Sequence, residues 1–286
     1  GEWFFFFDLF SHFRIYLATF SLLIVFIAIF LANRLSIYAS IISLLINTAS
    51  IIPFLVPLLT PVEDTEFKII TVNLWVYNPV KSPAIQFLRT SDADVIVLNE
   101  VSSNWKPFVK TLKDIYPYQY FRTDCMERGH CQMALLSKKP WSELTSSNND
   151  ANIPTFIMAR FLHKGSNLTV LGTHLIYPLE KGTAELQMRQ INSISKIVND
   201  VKGALILTGD FNFSPWSFLH RRLINGTELE RAEGGIIASW ISRSLPIRLP
   251  IDHTYFRSKR GSARMQLGPN IGSDHLPIIT DINLSN

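Results

Sequence analysis

The amino-acid sequence predicts an α/β sandwich preceded by a pair of apolar helices. Short runs rich in Val, Ile and Leu alternate with amphipathic segments over most of the chain, and this pattern is typical of mixed strands and helices. No internal repeat or second soluble domain interrupts the alternation, and 286 residues are enough for one large domain with an appendage. The pair of helices is predicted because residues 15–33 and 35–62 contain no charged residue.

The two charge-free stretches are predicted to form a transmembrane hairpin, with helices over about residues 13–32 and 35–59. Pro53 and Pro57 would kink or end the second helix. One alternative is a buried helical hairpin, which would need a large surrounding core. Another is a secretory signal, which would have a basic start and a single short apolar core. Residues 1–60 are therefore predicted to be a membrane anchor, and residues 61–286 the domain that it carries.

Charge near the hairpin predicts its orientation. Arg34 lies between the two helices, and an acidic segment over residues 63–66 follows the second one. Because positive residues favour the cytoplasmic side, the turn would be inside and the domain extracytoplasmic. In such an oxidising compartment Cys125 and Cys131 would suit a local disulfide, and two free thiols or a Cys/His metal site are the alternatives.

Apolar periodicity predicts the elements of the domain in order. Strands are predicted over residues 67–73, 93–98, 132–137, 155–162, 168–173, 204–208 and 277–282. Helices are predicted over residues 82–90, 105–112 and 183–201, and the last has the clearest amphipathic spacing. The formal net charge of +4 comes mostly from arginine and lysine residues late in the chain, such as Arg243, Arg257 and Arg264. This basic cluster favours an anionic substrate.

Polar residues follow the apolar runs at six places. They are Asn73, Asn99-Glu100, Thr173-His174, Gly209-Asp210-Phe211-Asn212, Ile251-Asp252 and Ser273-Asp274-His275. Buried strands that end in carboxylates, amides and imidazoles carry reactive groups at their tips. A hydrolase needs these groups to hold a hard divalent cation and to act on a phosphate ester.

The carboxylates each have a functional and a structural interpretation. Glu100 ends a buried strand, where an unpaired charge is costly, so a metal ligand is favoured over a salt bridge to Lys or Arg. Asp210 and Asn212 alternate around Phe211, so in an extended conformation they would point the same way. An Asx-turn is the alternative for these two residues.

His275 is the candidate general base, because a nearby carboxylate would fix its tautomer and support its positive charge. Asp252 is its predicted partner, which leaves Asp274 to face a metal ion or its waters. A capped turn is the structural alternative for Ser273-Asp274-His275.

These residues, in this order, resemble the endonuclease/exonuclease/phosphatase superfamily, which has the DNase-I-like fold. The resemblance covers about residues 66–283, and the hairpin in front looks like that of a membrane-anchored bacterial branch. The resemblance implies a four-layered α/β sandwich that hydrolyses phosphate esters with Mg²⁺ or Mn²⁺. It also implies a location in the bacterial inner (plasma) membrane as a multi-pass protein.

The resemblance implies a role for each site residue. Glu100 and Asp274, with Asn73 and Asp210, would bind the metal. Asn73, Asn212 and His174 would contact the phosphate. The catalytic set would be His174, Asp210, Asn212, Asp252 and His275, in which His275, supported by Asp252, would polarise the phosphate or take a proton.

Three details depart from the pattern or leave it incomplete. Trp75 lies where the abasic-site repair nucleases carry an acidic metal ligand, which disfavours a repair function. Asn99 stands where glutamine is commoner. No carboxylate partner for His174 is evident, although Glu180 and Glu185 are near it in sequence.

The sequence thus predicts a membrane-tethered phosphodiesterase or phosphatase with no obligate protein partner. Its substrate would be a phosphate ester, either nucleic acid or a lipid head group such as a phosphoinositide. The alternative from another class is a catalytically inactive relative that binds a phosphorylated ligand.

Overall fold

The computed structural model describes residues 8–55, 65–123, 132–258 and 261–284. The predicted hairpin is present as helices α1 (Arg14–Phe30) and α2 (Arg34–Leu55). The two helices pack against each other, and the hydroxyl oxygens of Ser21 and Ser43 lie 2.8 Å apart between them. Pro53 lies inside α2 and does not end it. The predicted end of this helix at residue 59 and the linker that follows lie outside the described residues.

The hairpin contacts the domain through its open end. The Tyr16 hydroxyl donates to the carbonyl oxygen of Arg248 at 3.1 Å and accepts from the amide of the same residue at 2.7 Å. At the end of α2, the ring of Phe54 packs on Trp216 at a centroid distance of 6.0 Å. Since a helix rises about 1.5 Å per residue, the turn at residues 31–33 lies about 25 Å farther along the helix axes. The hairpin therefore projects away from the domain.

Apolar side chains remain exposed along most of the projecting hairpin, for example Phe26 and Phe30 on α1 and Leu45 on α2. Within the described residues, one helix, Arg34–Phe54, is long and apolar enough to cross a membrane, by length and composition only. The first helix, Arg14–Phe30, is apolar but shorter than that criterion requires. Of the two helices predicted to span a membrane, only the second meets this criterion among the described residues, so a multi-pass anchor is not supported by length and composition.

The domain contains two six-stranded sheets. The first sheet has the order β13-β14-β1-β2-β4-β3, and its strands are β1 (Phe67–Asn73), β2 (Val95–Asn99), β3 (Tyr118–Arg122), β4 (Met133–Ser137), β13 (Ser262–Leu267) and β14 (Ile278–Asn283). The second has the order β5-β6-β7-β8-β12-β9, and its strands are β5 (Glu143–Ser146), β6 (Thr155–His163), β7 (Ser166–His174), β8 (Ala204–Asp210), β9 (Glu230–Arg231) and β12 (Asp252–Arg257). A separate short ribbon pairs β10 (Trp240–Ile241) with β11 (Arg248–Leu249).

The sheets pack face to face and helices cover their outer faces. Ile69 and Val97 of the first sheet and Val170 and Ile206 of the second belong to one buried cluster between the sheets. Two further clusters lie under the outer helices, which are α3 (Ser82–Thr90), α4 (Lys106–Lys110), α5 (Lys181–Asp200) and α6 (Phe218–Asn225). The α/β sandwich with four layers is thus observed.

Most strongly apolar elements were predicted at their observed places. The predicted helix over residues 105–112 is shorter than expected, since α4 ends at Lys110 and a 3₁₀ turn, Thr111–Asp114, follows it. Several elements had no prediction: β3, β5, α6, β9, β10, β11 and β13. Most of these are short or lie at or near the edges of the sheets, where alternation of apolar and polar residues is weak.

Two parallel strand pairs position the site. Strand β1 runs parallel to β2 with Asn73 opposite Asn99, and β7 runs parallel to β8 with His174 opposite Asp210. Because parallel strands end on the same side of a sheet, the carboxyl ends of these four strands meet at one edge of the sandwich.

Candidate active site

Antiparallel neighbours bring the remaining predicted residues to the same edge. Strand β12 pairs with β8 so that its first residue, Asp252, lies opposite Asp210. Strand β14 runs antiparallel to β1, so the segment just before β14 lies beside the end of β1. Ser273 in this segment donates a hydrogen bond from its hydroxyl to the carbonyl oxygen of Asn73 at 2.7 Å. All six polar patches therefore converge, as their order along the chain predicted.

The carboxylate of Asp210 lies at the centre of the cluster. Its Oδ2 accepts from Nδ2 of Asn73 at 3.1 Å. The Nε2 atoms of His174 and His275 lie 3.5 and 3.7 Å from the same oxygen. Asp210 is buried, so these three side chains provide its polar surroundings on this side.

Glu100 extends the cluster on the side of the first sheet. Its Oε1 accepts from the same Asn73 amide at 2.9 Å, and its Oε2 accepts from the backbone amide of Val76 at 2.9 Å. Glu100 has a φ of 57°, as does Trp75, and Asn212 has 53°. Such left-handed residues other than glycine cost about 1–3 kcal/mol each and concentrate at functional sites. The chain thus bends sharply just after β1, β2 and β8.

Asp252 and His275 form a buried pair. The Nδ1 atom of His275 lies 2.8 Å from Oδ2 of Asp252, and the Ser239 hydroxyl donates to that oxygen at 2.6 Å. The backbone amide of His275 donates to the Ser273 hydroxyl at 3.1 Å. Because the carboxylate favours a proton on Nδ1, this arrangement fixes the ring with Nε2 toward Asp210. The predicted pairing of these residues is observed.

Burial and neighbouring charges shift the pKa values of the acid–base groups in the site. Burial, followed by the charge of Asp252, raises the pKa of Asp210, although His275 opposes this shift. Burial alone would lower the pKa of His275, but the carboxylates of Asp252 and Asp210 raise it well above its ordinary value. The pKa of Asp274 is raised, mainly by burial and also by Glu100. An imidazolium at position 275 is therefore stabilised by the carboxylates around it.

The donor set fits a hard divalent cation. Glu100, Asp210 and Asp274 all line one cavity, and no lysine or arginine is among the residues that line it in the described part of the chain. Negative charge gathered in this way favours a cation with oxygen ligands. A second group, Asp210, Asp252 and His275, has ligand atoms within 4.8 Å of one another. The carboxylates of Glu100, Asp210 and Asp274 fit Mg²⁺ better than this second group does. In the second group, His275 and Asp252 are already hydrogen-bonded to each other.

The segment after β8 differs from its predicted conformation. Residues 210–212 are not extended, because Asn212 adopts φ 53° and its backbone amide donates to Oδ1 of Asp210 at 3.0 Å. The Asx-turn considered as an alternative is therefore present. The Asn212 side chain donates to the carbonyl oxygen of Leu175 at 2.9 Å and still lines the cavity.

Gly209 allows the close approach of β7 and β8 beside Asp210. Its φ is 153°, and a Cβ atom there would lie 1.9 Å from the carbonyl oxygen of Thr173. Only glycine can therefore occupy this position without displacing a strand that carries His174.

The structure also shows the surroundings of His174 and of two late basic residues. The partner of His174 is Asp210, at 3.5 Å, whereas Glu180 lies at the start of α5 and forms its capping box. Of the late basic residues, Arg257 caps the end of α5 by donating to the carbonyl oxygens of Val198 and Val201. Arg243 does approach the site, with its Cζ 4.2 Å from the ring centroid of Trp75.

Some supporting residues were not predicted, and some predictions stay open. Ser239 had no sequence signal, since a serine in a loop is ordinary. Gln187 of α5 donates to the carbonyl oxygens of Phe211 and Asn212 at 3.1 Å each. The available hint in the sequence was its position four residues before Ile191, on the apolar face of the predicted helix. Cys125 and Cys131 lie outside the described residues, so the disulfide stays a prediction.

A family model described as the Endonuclease/Exonuclease/phosphatase family matches residues 70–275, which include every predicted site residue. The chain belongs to this family. Membership supports a phosphoric ester hydrolase and agrees with the resemblance found in the sequence. A search of curated protein sequences gave no match.

Solved structures of the same fold support the family's architecture in this chain. TDP2 from D. rerio, complexed with single strand DNA product, is 14% identical with a TM-score of 0.61, covering 77% of this chain and 100% of that one. A beta toxin mutant from Staphylococcus aureus with bound magnesium ions is 16% identical with a TM-score of 0.58, covering 76% and 99%. An endonuclease/exonuclease/phosphatase from Beutenbergia cavernae is 18% identical with a TM-score of 0.58, covering 76% and 71%. At these identities the likeness establishes the fold alone.

Proposed function

We propose that this protein is a divalent-metal-dependent hydrolase of phosphate esters, with its reaction centre at Asp210. The observation that carries the proposal is the convergence of Asn73, His174 and His275 on one oxygen of this buried carboxylate. A carboxylate between two imidazoles can orient an attacking water while the imidazoles face the phosphoryl oxygens.

Each side chain has a role that follows from its position. His275, supported by Asp252, presents Nε2 to the reacting group as a charged donor, since its pKa is raised. His174 faces the other side of Asp210 and would contact the phosphate or the leaving oxygen. Asn73 bridges Glu100 and Asp210 and so fixes their separation. Asn212 lines the same cavity as a further phosphate ligand.

Glu100 and Asp274, with Asp210 and Asn73 beside them, would hold Mg²⁺ or Mn²⁺. When bound, the ion would neutralise phosphate charge and polarise the P–O bond. The magnesium ions reported for the S. aureus beta toxin structure support this choice of metal.

We also propose that residues 1–60 anchor the domain, residues 61–286, in a membrane. The exposed apolar side chains of the projecting hairpin would be covered by lipid, which removes a large unfavourable contact with water. We propose an extracytoplasmic domain because Arg34 lies in the turn of the hairpin. The bacterial inner membrane is proposed only because the hairpin resembles that of a membrane-anchored bacterial branch. The orientation can be tested by fusing, after Asn286, a reporter enzyme that works only in the cytoplasm. Activity of this reporter would exclude an extracytoplasmic domain.

The test of the proposed function is a metal-dependent assay of the full chain in detergent micelles with bis-p-nitrophenyl phosphate. We expect release of p-nitrophenol with added Mg²⁺, and loss of this activity after EDTA treatment or in His275→Ala. Activity that survives both His275→Ala and Asp210→Ala would place the reaction elsewhere. Absence of metal-stimulated hydrolysis of any phosphate ester would favour the inactive, phosphate-binding alternative.

A further inference from the structure

The cavity that contains the site has a polar floor and apolar walls. Its volume is about 440 Å³, and the carboxylates and imidazoles described above form the floor. The walls are formed largely by Leu, Ile, Phe, Tyr and Trp side chains from four separate parts of the chain. A phosphate ester needs only the floor for its reaction. The walls must therefore be explained by another part of the ligand.

Four side chains at the mouth of this cavity are both lining and solvent-exposed. This apolar rim consists of Tyr77, Tyr177, Leu179 and Leu245. Large exposed apolar groups gathered at the opening of a site mark contact with an apolar partner rather than with water. The two leucines favour a hydrocarbon ligand over a nucleobase, because nucleobases stack on aromatic or guanidinium planes and not on leucine.

The side chains that line the cavity, as far as the structure describes them, lack the positive charge expected for a nucleic-acid substrate. Polynucleotide binding depends on Lys and Arg side chains that neutralise successive phosphates. Among the described residues that line the cavity, no lysine or arginine is present. Arg243 approaches the mouth through Trp75, but it is not among the residues that line the cavity.

The segment that leads into the hairpin supplies part of the wall. Leu9, His12 and Phe13, which immediately precede α1, line the cavity together with residues of the domain. The position of this segment is fixed, since Ser11 accepts a hydrogen bond at its carbonyl oxygen from Nε1 of Trp216 at 2.5 Å. The wall of the site is thus continuous with the apolar helices that the proposed anchor places in the bilayer.

We propose that the substrate is a membrane lipid carrying a phosphate ester, with its phosphate on the polar floor and the start of its hydrocarbon chains against the apolar walls. This inference rests on the proposed function of the same site. The hairpin begins beside the cavity mouth, so a lipid could reach the floor without crossing water. The hairpin is then part of the substrate site as well as a tether.

The first test compares two synthetic diesters that differ only in their tails, p-nitrophenyl methyl phosphate and p-nitrophenyl octyl phosphate. In both, water adds to phosphorus and p-nitrophenolate leaves, so both report the same bond. Each methylene removed from water gains about fourfold in binding, so we expect kcat/KM of the full chain to favour the octyl ester by at least about tenfold. Leu179→Ser and Leu245→Ser should each reduce this octyl-to-methyl ratio several-fold.

Leu162→Ser is the matched control, because Leu162 is 67% exposed and Leu179 is 69% exposed, but Leu162 lies on β6 outside the cavity lining. It should leave the ratio unchanged. Assay of all variants in the same detergent cancels partitioning of the octyl ester into micelles. A ratio near one in the unmodified chain, or a ratio that the rim variants do not change, would overturn the lipid inference while leaving phosphate ester hydrolysis intact.

The second test uses vesicles of phosphatidylcholine that contain p-nitrophenyl hexadecyl phosphate. We expect the chain to hydrolyse this lipid at least about tenfold faster when both share the same vesicles than when they are in separate vesicles. Equal rates, or faster cleavage of an oligodeoxynucleotide than of the octyl ester, would refute the inference. If neither methyl nor octyl ester is hydrolysed with Mg²⁺, the proposed function fails and the lipid inference fails with it.

Discussion

Asp252→Asn tests the charged pair that holds His275 in place. The Nδ1–Oδ2 distance is 2.8 Å and both side chains are buried, so the carboxylate stabilises the imidazolium with little screening by water. Removing one partner of a buried ion pair costs about 3–5 kcal/mol. Where that cost falls on the transition state, it lowers kcat by a factor of about 10² to 10⁴, since about 1.4 kcal/mol corresponds to tenfold.

Asparagine keeps the size of Asp252 and can still accept from both Ser239 and His275, so the fold should survive the substitution. The assay is kcat for bis-p-nitrophenyl phosphate with saturating Mg²⁺, with the melting temperature measured on the same preparation. Asp200→Asn is the control, because Asp200 is exposed at the C-terminal end of α5, whereas the cavity-lining Leu179 lies just before the N-terminal end of this helix. A folded Asp252→Asn protein with kcat within tenfold of the unmodified chain would refute the role given to this pair.

Asp252→Asn should also change the pH dependence of kcat. The Asp252 carboxylate raises the pKa of His275, so the imidazolium persists to higher pH in the unmodified chain. Loss of the carboxylate lowers this pKa. If the imidazolium is the active form, the alkaline limb of the kcat profile should move to lower pH. An unchanged alkaline limb would mean that another group determines it.

Three further predictions concern the metal, a buried histidine and a glycine. Glu100→Gln should raise the Mg²⁺ concentration for half-maximal activity by at least about tenfold, whereas Glu143→Gln on β5 should not, and the measurement is a metal titration of activity. Burial, with nearby Arg231 and Arg221, lowers the pKa of His220 to about 3, so below about pH 6.5 the unfolded chain binds a proton that the folded chain does not. Stability should therefore fall as pH decreases from about 6.5 toward 3, and His220→Gln should reduce this loss in urea unfolding at pH 7 and pH 5. Gly209→Ala should destabilise the domain by about 3 kcal/mol or more, because the new Cβ would lie 1.9 Å from the carbonyl oxygen of Thr173, and a melting temperature unchanged from that of Gly182→Ala would contradict this.

The elements that the sequence predicted are those whose residues face a uniform environment. Strands such as β1 and β8 are buried on both faces and occur as continuous apolar runs, and α5 shows a clear helical period. Strand β13, in which three polar residues alternate with three apolar ones, depends on pairing with β14 along its whole length, and nothing local in its sequence indicates that pairing.

The identities of the site residues followed from the sequence, because a carboxylate or imidazole at the end of an apolar run needs either a partner or a function. The partners of these residues were harder to predict from the sequence. The pairing of Asp252 with His275 was predicted, since few carboxylates were available near that histidine. The contact between His174 and Asp210 was not, because it depends on the parallel register of β7 and β8.

By itself the sequence indicated the family, the candidate site residues and the apolar character of the hairpin, since each of these is a matter of residue type and order. Only the tertiary structure decided what surrounds the site. The position of Leu9 and Phe13 in the cavity wall, and of Arg257 at the far end of α5, depends on packing between segments that are distant along the chain. No local pattern encodes such contacts, because their free energy exists only once both segments have folded against each other.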